Sequence, residues 1–273
     1  MAISNFISTV WSENLLKQLD RQYVGVLNCN REFEGEIKSK GSIVNICGFN
    51  GVTVMDYENG TDMEEPEVLD TYYNTLEVNR AKYFNFQIDD IDKAQANIKF
   101  MDAAMKVAAS SLASEAENYV YSLYKDAVLS AQLDEATSEN IVDKIIDIKT
   151  ILMNNNASIQ NDLVLEVSPD VAKLILKAKI DLGTDNHDAF ETGYLGKIAG
   201  CKVYVSNNIN VDDDGYHQCF LRTKRAIAFA EQISEVEAYR PEKRFADAVK
   251  GLHIYGAKVV CPAEFLAFGV RLA

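Results

Sequence analysis

The spacing of apolar residues changes character several times along the chain. Residues 12–23, SENLLKQLDRQY, place Leu15, Leu16, Leu19 and Tyr23 on one side of a short helix with Ser12 as its N-cap. About three turns are marginal alone, so this helix must pack on something and reads as an arm. Residues 31–80 then alternate with period two. EFEGEIKSKGSIVNI sets Gly41 between Phe33/Ile37 and the run Ile43–Ile46, a strand-turn-strand pattern. The ENG at 58–60 marks a turn, and Asp62, Glu64, Glu65 and Glu67 crowd around Pro66 just beyond it. NTLEVNRAKYFNFQI returns as one or two strands. With few large aliphatics on one face and an acidic tip, the stretch predicts a projecting hairpin whose edges another chain must satisfy.

From Asp89 the period becomes helical. Neither glycine nor proline occurs between Pro66 and Pro169, and Ile91, Ile98, Met105, Leu112 and Tyr119 recur every seven residues. Ala94, Met101 and Ala108 fill the complementary positions, and Asp89 or Asp90 is placed to cap the start. Such a helix would be on the order of 55 Å long, the spine of an elongated molecule. After Gln132 helix and strand alternate. Thr137 or Ser138 is expected to cap a helix through Met153 with Ile141, Ile145, Ile148 and Leu152 on one face. DLVLEV, 162–167, reads as a buried strand, and SPDVAKLILKAKI opens a helix with Ser168 as N-cap, Pro169 in the first turn and Asp170 at the positive end.

The stretch GYLGKIAGCKVYVSNNI, 193–209, raises the question of a phosphate loop. A dinucleotide fingerprint needs GxGxxG running into a helix, and a nucleotide-triphosphate loop needs GxxxxGK with Ser or Thr next. Here the spacing is GxxGxxxG, Ile198 follows Lys197, and Cys201, Val203 and Val205 alternate with polar residues as a strand does. The glycines shape turns. His187, His217 and His253 stand apart without metal spacing. The DDDG at 212–215 lacks the ligand spacing of a calcium loop and predicts a hairpin turn between KVYVSNNI and HQCFLRT. No GxSxG elbow is present, so no catalytic, metal or cofactor residue is assigned.

Composition narrows the class. The 273 residues can bury a sizeable core, and 41 Asp and Glu against 27 Lys and Arg give a net charge of -14. That balance repels nucleic acid phosphates, and the basic pairs Lys224-Arg225 and Lys243-Arg244 read as solvated faces. Five scattered cysteines without a CxxC fit reduced, packed thiols of a cytosolic protein. The start is not a secretory signal and no apolar run spans a membrane.

Taken in order, REFEGEIKSKGSIVNI, SPDVAKLIL, GYLGKIAGCKVYVSNNI and AIAFAEQISEVEAYRPEKRFADAVKGLHIYGAKVVCPAEFLA make the chain resemble the major capsid proteins of tailed bacteriophages over nearly its whole length. The resemblance implies an α+β Hong Kong 97-like capsid fold: an N-terminal arm (1–30), an extended β-hairpin loop (31–80), a peripheral domain with the spine helix (81–130), an α/β axial domain (131–235), peripheral return strands (236–262) and a C-terminal segment rejoining the axial domain (263–273). It implies self-assembly as hexamers and pentamers into an icosahedral virion shell around double-stranded DNA, without specific DNA binding. Assembly would occur in the bacterial host cytoplasm, with portal and a separate scaffolding protein as partners and no membrane, cofactor or enzymatic activity. Contacts between copies are expected at Phe33, Lys38, Lys40, Glu64, Glu65, Glu67, Arg80 and Arg244. The three glutamates form an acidic tip that would meet basic residues of a neighbour, with Arg80 and Arg244 as candidates. The alternatives are an encapsulin-type nanocompartment shell and, in another class, a cytosolic α/β enzyme using 162–209 as its site.

Overall fold

The computed structural model describes residues 15, 18–19, 22–33, 41–49, 54–56, 59, 62, 65–68, 71–89, 99–155, 163–178, 193–243 and 245–273. Lys38, Lys40, Glu64, Arg244, His187 and residues 90–98 of the expected spine helix lie outside them.

Three sheets organise the described residues. The largest has six strands in the order β4 (Leu129–Ala136), β11 (Phe265–Leu272), β8 (His217–Thr223), β5 (Leu163–Val167), β7 (Cys201–Val205) and β6 (Tyr194–Ile198). Helices α2 (Ile141–Asn154) and α3 (Pro169–Lys177) cover one face through Ile141, Ile145, Ile148, Leu152, Val171 and Ile175, which pack on Leu165, Val203, Leu221 and Phe268. The other face carries Phe220, Phe265 and Ala267 and packs with helix α1 (Lys99–Ser122) and the N-terminal residues Leu15, Leu19 and Tyr23. A sheet covered on both sides needs strands without polar alternation, and all five residues of β5 are buried.

The second sheet has the order β3 (Arg80–Asp89), β10 (Ala246–Val259), β9 (Ile227–Tyr239), all antiparallel. Helix α1 lies along one side, contributing Ala109, Leu112, Ala113, Ala116 and Val120 against Phe229, Val249 and Tyr255. The third sheet is a ribbon of β1 (Ile43–Phe49) and β2 (Thr71–Glu77). Its inward face, Val44, Ile46 and Leu76, is joined by Val78 and rests on Ala228, Ala230 and Ile254. The expectation of few large aliphatics on one face of this hairpin fits their number, but those present, Val44, Ile46 and Leu76, are buried at its base against the three-stranded sheet. Gly256 makes the close seat possible, because a Cβ there would stand 2.4 Å from the Glu77 carbonyl oxygen.

Several local expectations are revised. Asp89 is a strand residue opposite Ala246, so it does not cap α1. The N-cap of α2 is Asn140 rather than Thr137 or Ser138, and its Oδ1 accepts from the Thr137 amide at 2.9 Å. Ser168 does cap α3, accepting from the Val171 amide at 3.4 Å. The glycine-rich stretch forms the β6–β7 hairpin, turning through Ala199 and Gly200 at φ 48° and 81°; it runs into a strand rather than a helix, and Lys149 of α2 donates to the Ala199 carbonyl at 2.6 Å. Residues 212–215 do turn, closing on a Val211–His217 bridge, but β7 and β8 are not hairpin partners, since β5 lies between them.

Candidate assembly interface

Strands β1 and β2, seated on the three-stranded sheet, form a ribbon only two strands wide. Such a ribbon is marginal in water unless its faces are covered. Its base is covered within the chain, but its far side is not. Ile43 and Tyr73 are 61 % and 66 % exposed, and further along the same segment Val54 and Val68 are 94 % and 90 % exposed. Glu65 and Glu67 flank Pro66 in that exposed stretch. On the outer side of the three-stranded sheet Tyr83, 78 % exposed, borders a depression of about 310 Å³ with Asn85, Glu237, Lys250, Gly251 and Leu252.

The described residues among those expected at contacts fall into three groups. Glu65 and Glu67 are exposed. Phe33 is half-buried and packs within its own chain against the hairpin base. The Arg80 guanidinium lies 4.9 Å from the Tyr119 ring centre, held by cation–π attraction. The others lie outside the described residues.

Beneath the arm lies a buried polar junction that sequence reasoning missed. Residues 22–33 form a strap between the two large sheets. Its Val26–Asn28 portion is one 3-10 turn, and Asn30 bridges to Ala228 in β9. Arg222 of β8 and Glu166 of β5 point from the six-stranded sheet to the strap, both fully buried. They are diagonal neighbours in the β5–β8 register, in which Glu166 faces Phe220 and Arg222 faces Val164. Arg222 grips the carboxylate with Nε at 3.0 Å and Nη2 at 2.9 Å. The same guanidinium donates to the strap carbonyls of Asn28 and Gly25 at 2.6 and 2.9 Å. Burial alone would lower the Arg222 pKa, but the Glu166 carboxylate outweighs it and keeps the guanidinium charged. Glu231 of β9 accepts from Tyr23 Oη at 2.5 Å and Arg31 Nη2 at 2.8 Å, and lies 2.8 Å from His253 Nε2. Glu117 of α1 accepts from the Val24 and Val26 amides at 2.8 and 3.0 Å. The signal for this junction was available: LVLEV and HQCFLRT are apolar runs each broken by one charge, and the charges are opposite.

The chemistry of these groups is that of structure. Burial pushes the Cys29 thiol up to about 11 and the Cys219 thiol up to about 12, so neither is a ready nucleophile. Among the described residues no three His, Cys, Asp or Glu side chains converge to hold a metal ion, and no helix is long and apolar enough to cross a membrane.

Comparison with known proteins places this architecture. No family model matches the chain, and no curated protein matches it by sequence. Solved structures do. A chain of Mycobacterium phage Che8 superposes with a TM-score of 0.70 at 26 % identity, over 90 % of this chain and 91 % of that one. The capsid of cyanophage P-SCSP1u superposes with a TM-score of 0.68 at 13 % identity, over 92 % and 89 %. A virus-like particle from Pyrococcus furiosus gives 0.59 at 11 % identity, over 96 % and 99 %.

Proposed function

We propose that a chain with this fold, that of the phage capsid proteins, is the major capsid protein of a tailed bacteriophage, a structural protein whose copies build an icosahedral shell. The observation that carries the reading is near-complete superposition, over 90 % of this chain and 91 % of the phage Che8 chain. The open ribbon supports it, because apolar residues as exposed as Val54 and Val68 need neighbouring copies. Repeated heterologous contacts between identical chains generate closed shells, and each can be weak because closure multiplies them.

In this reading the six-stranded sheet with α2 and α3 is the axial domain. The three-stranded sheet with α1 is the peripheral domain, and residues 31–80 reach a neighbour. Copies group as hexamers and pentamers in the host cytoplasm around double-stranded DNA, with a portal and a separate scaffolding protein completing the particle. The net charge of -14 suits a container that must not hold packed DNA tightly. The role is architectural, without catalysis. One rival is a nanocompartment shell with protein cargo, since the same fold also builds a virus-like particle from Pyrococcus furiosus.

Electron microscopy of the purified full-length chain, expressed alone and with its genomic neighbours, tests the proposal. Capsomers or shells are expected, and a monodisperse monomer under both conditions overturns it. Nuclease-protected DNA in particles from the native source supports the viral reading, and cargo protein without DNA supports the rival.

A further inference from the structure

Glu117 is a buried carboxyl of the junction that no cation accompanies. It is 1 % exposed, and among the described residues no lysine or arginine pairs with it. Arg222 is committed to Glu166, and Arg31 to Glu231. Oε1 of Glu117 is held instead by backbone, the Val24 and Val26 amides of the strap. Oε2 lies 3.4 Å from Ser206 Oγ, which follows β7. A hydroxyl can donate to a carboxylate or accept from a carboxylic acid, so this set of partners satisfies either protonation state.

The two states differ in charge. The titratable neighbours are Glu166 of β5, Tyr121 of α1, and Tyr23 and Cys29 of the strap, with Arg222 across the strap turned to Glu166. We propose that Glu117 and the turn at residues 24–26 form a proton-dependent clasp, which holds the strap between the two large sheets more tightly as the solution is acidified. Burial raises the pKa of Glu117, and the strap amides offset this only in part. Docking the strap therefore raises the affinity of the carboxyl for a proton. The corresponding stabilisation is complete below the ordinary carboxylate pKa and is lost as pH rises through the raised one. The clasp does not depend on the capsid reading.

Amide hydrogen exchange of the full-length chain between pH 5 and 8, corrected for intrinsic rates, reads the clasp at its donors. Protection of the Val24 and Val26 amides is expected to rise as pH falls, with a slope of up to tenfold per pH unit, the limit for one proton. Glu117→Gln keeps an acceptor for both amides and a donor for Ser206, so protection there should be high, and its slope should fall to whatever the raised Glu166 carboxyl contributes. Ser206→Ala removes the acceptor of the carboxylic acid and should flatten the slope if the glutamine variant does not fold. Wild-type protection that is flat or falls on acidification overturns the clasp, as does an equal slope in Glu117→Gln.

Discussion

Replacing Arg222 with methionine would test whether the strap is held by charge or merely by shape. The substitution keeps much of the side-chain volume but removes both bonds to Glu166 and both bonds to the strap carbonyls of Gly25 and Asn28. The Glu166 carboxylate would remain fully buried with Asn28 Nδ2, at 3.2 Å, as its remaining side-chain donor. Removing one partner of a buried ion pair costs about 3–5 kcal/mol, because the other charge is left uncompensated. For domains of comparable size each kcal/mol moves the melting temperature by about 2–4 °C, so a fall of roughly 6–20 °C is expected. Scanning calorimetry with circular dichroism, on the chain held unassembled, makes the measurement. The double variant Arg222→Met, Glu166→Met should melt higher than Arg222→Met alone, since it strands no charge. A shift of less than about 2 °C in the single variant, or a double variant whose loss is the sum of the two singles, would refute the reasoning.

Three further outcomes are expected. Gly256→Val places a side chain where a Cβ would already meet the Glu77 carbonyl at 2.4 Å, so the ribbon loses its seat; circular dichroism should show a folded chain and microscopy no shells, and normal shells would contradict the seat. Val54→Asp with Val68→Asp alters side chains open in the single copy, so the stability of the unassembled chain should change by no more than about 0.5 kcal/mol in urea titration while sedimentation shows assembly lost; equal assembly would mean that the ribbon is not a contact. Lysine at 64, 65 and 67 should slow assembly and reverse its dependence on salt as followed by light scattering, and an unchanged salt profile removes the proposed contact of the acidic tip with a basic neighbour.

What the sequence displayed was local. The start of α3 was legible because Ser168, Pro169 and Asp170 each meet one requirement of a helix N-terminus within three residues. The buried face of α2 was legible because four isoleucine and leucine positions repeat at helical spacing. β4 was missed because LSAQLDEA mixes half-buried and exposed positions, and its partner, β11, lies about 130 residues away. The junction was missed for the same reason. Glu231 accepts from Tyr23, 208 residues away, and Arg222 donates to Gly25 across 197. Periodicity reports which face a residue occupies and is silent on which distant residue meets it. The exposed ribbon was anticipated from its acidic tip, but its sealed base depends on Ala228, Ala230 and Gly256, small residues whose spacing carries no signal by itself.

The place of β11 has a consequence for synthesis. It lies between β4 and β8, so β4 has no strand neighbour until residues 265–272 have left the ribosome. A prematurely terminated product would keep β4 unpaired and lack Phe265, Phe268 and Val270 from the two main cores. Such a fragment should be cleared by cellular proteases before it can join a growing lattice. Because β11 lies second in the sheet, a fragment ending before residue 265 would leave β4 without its parallel partner and β8 without one of its two neighbours.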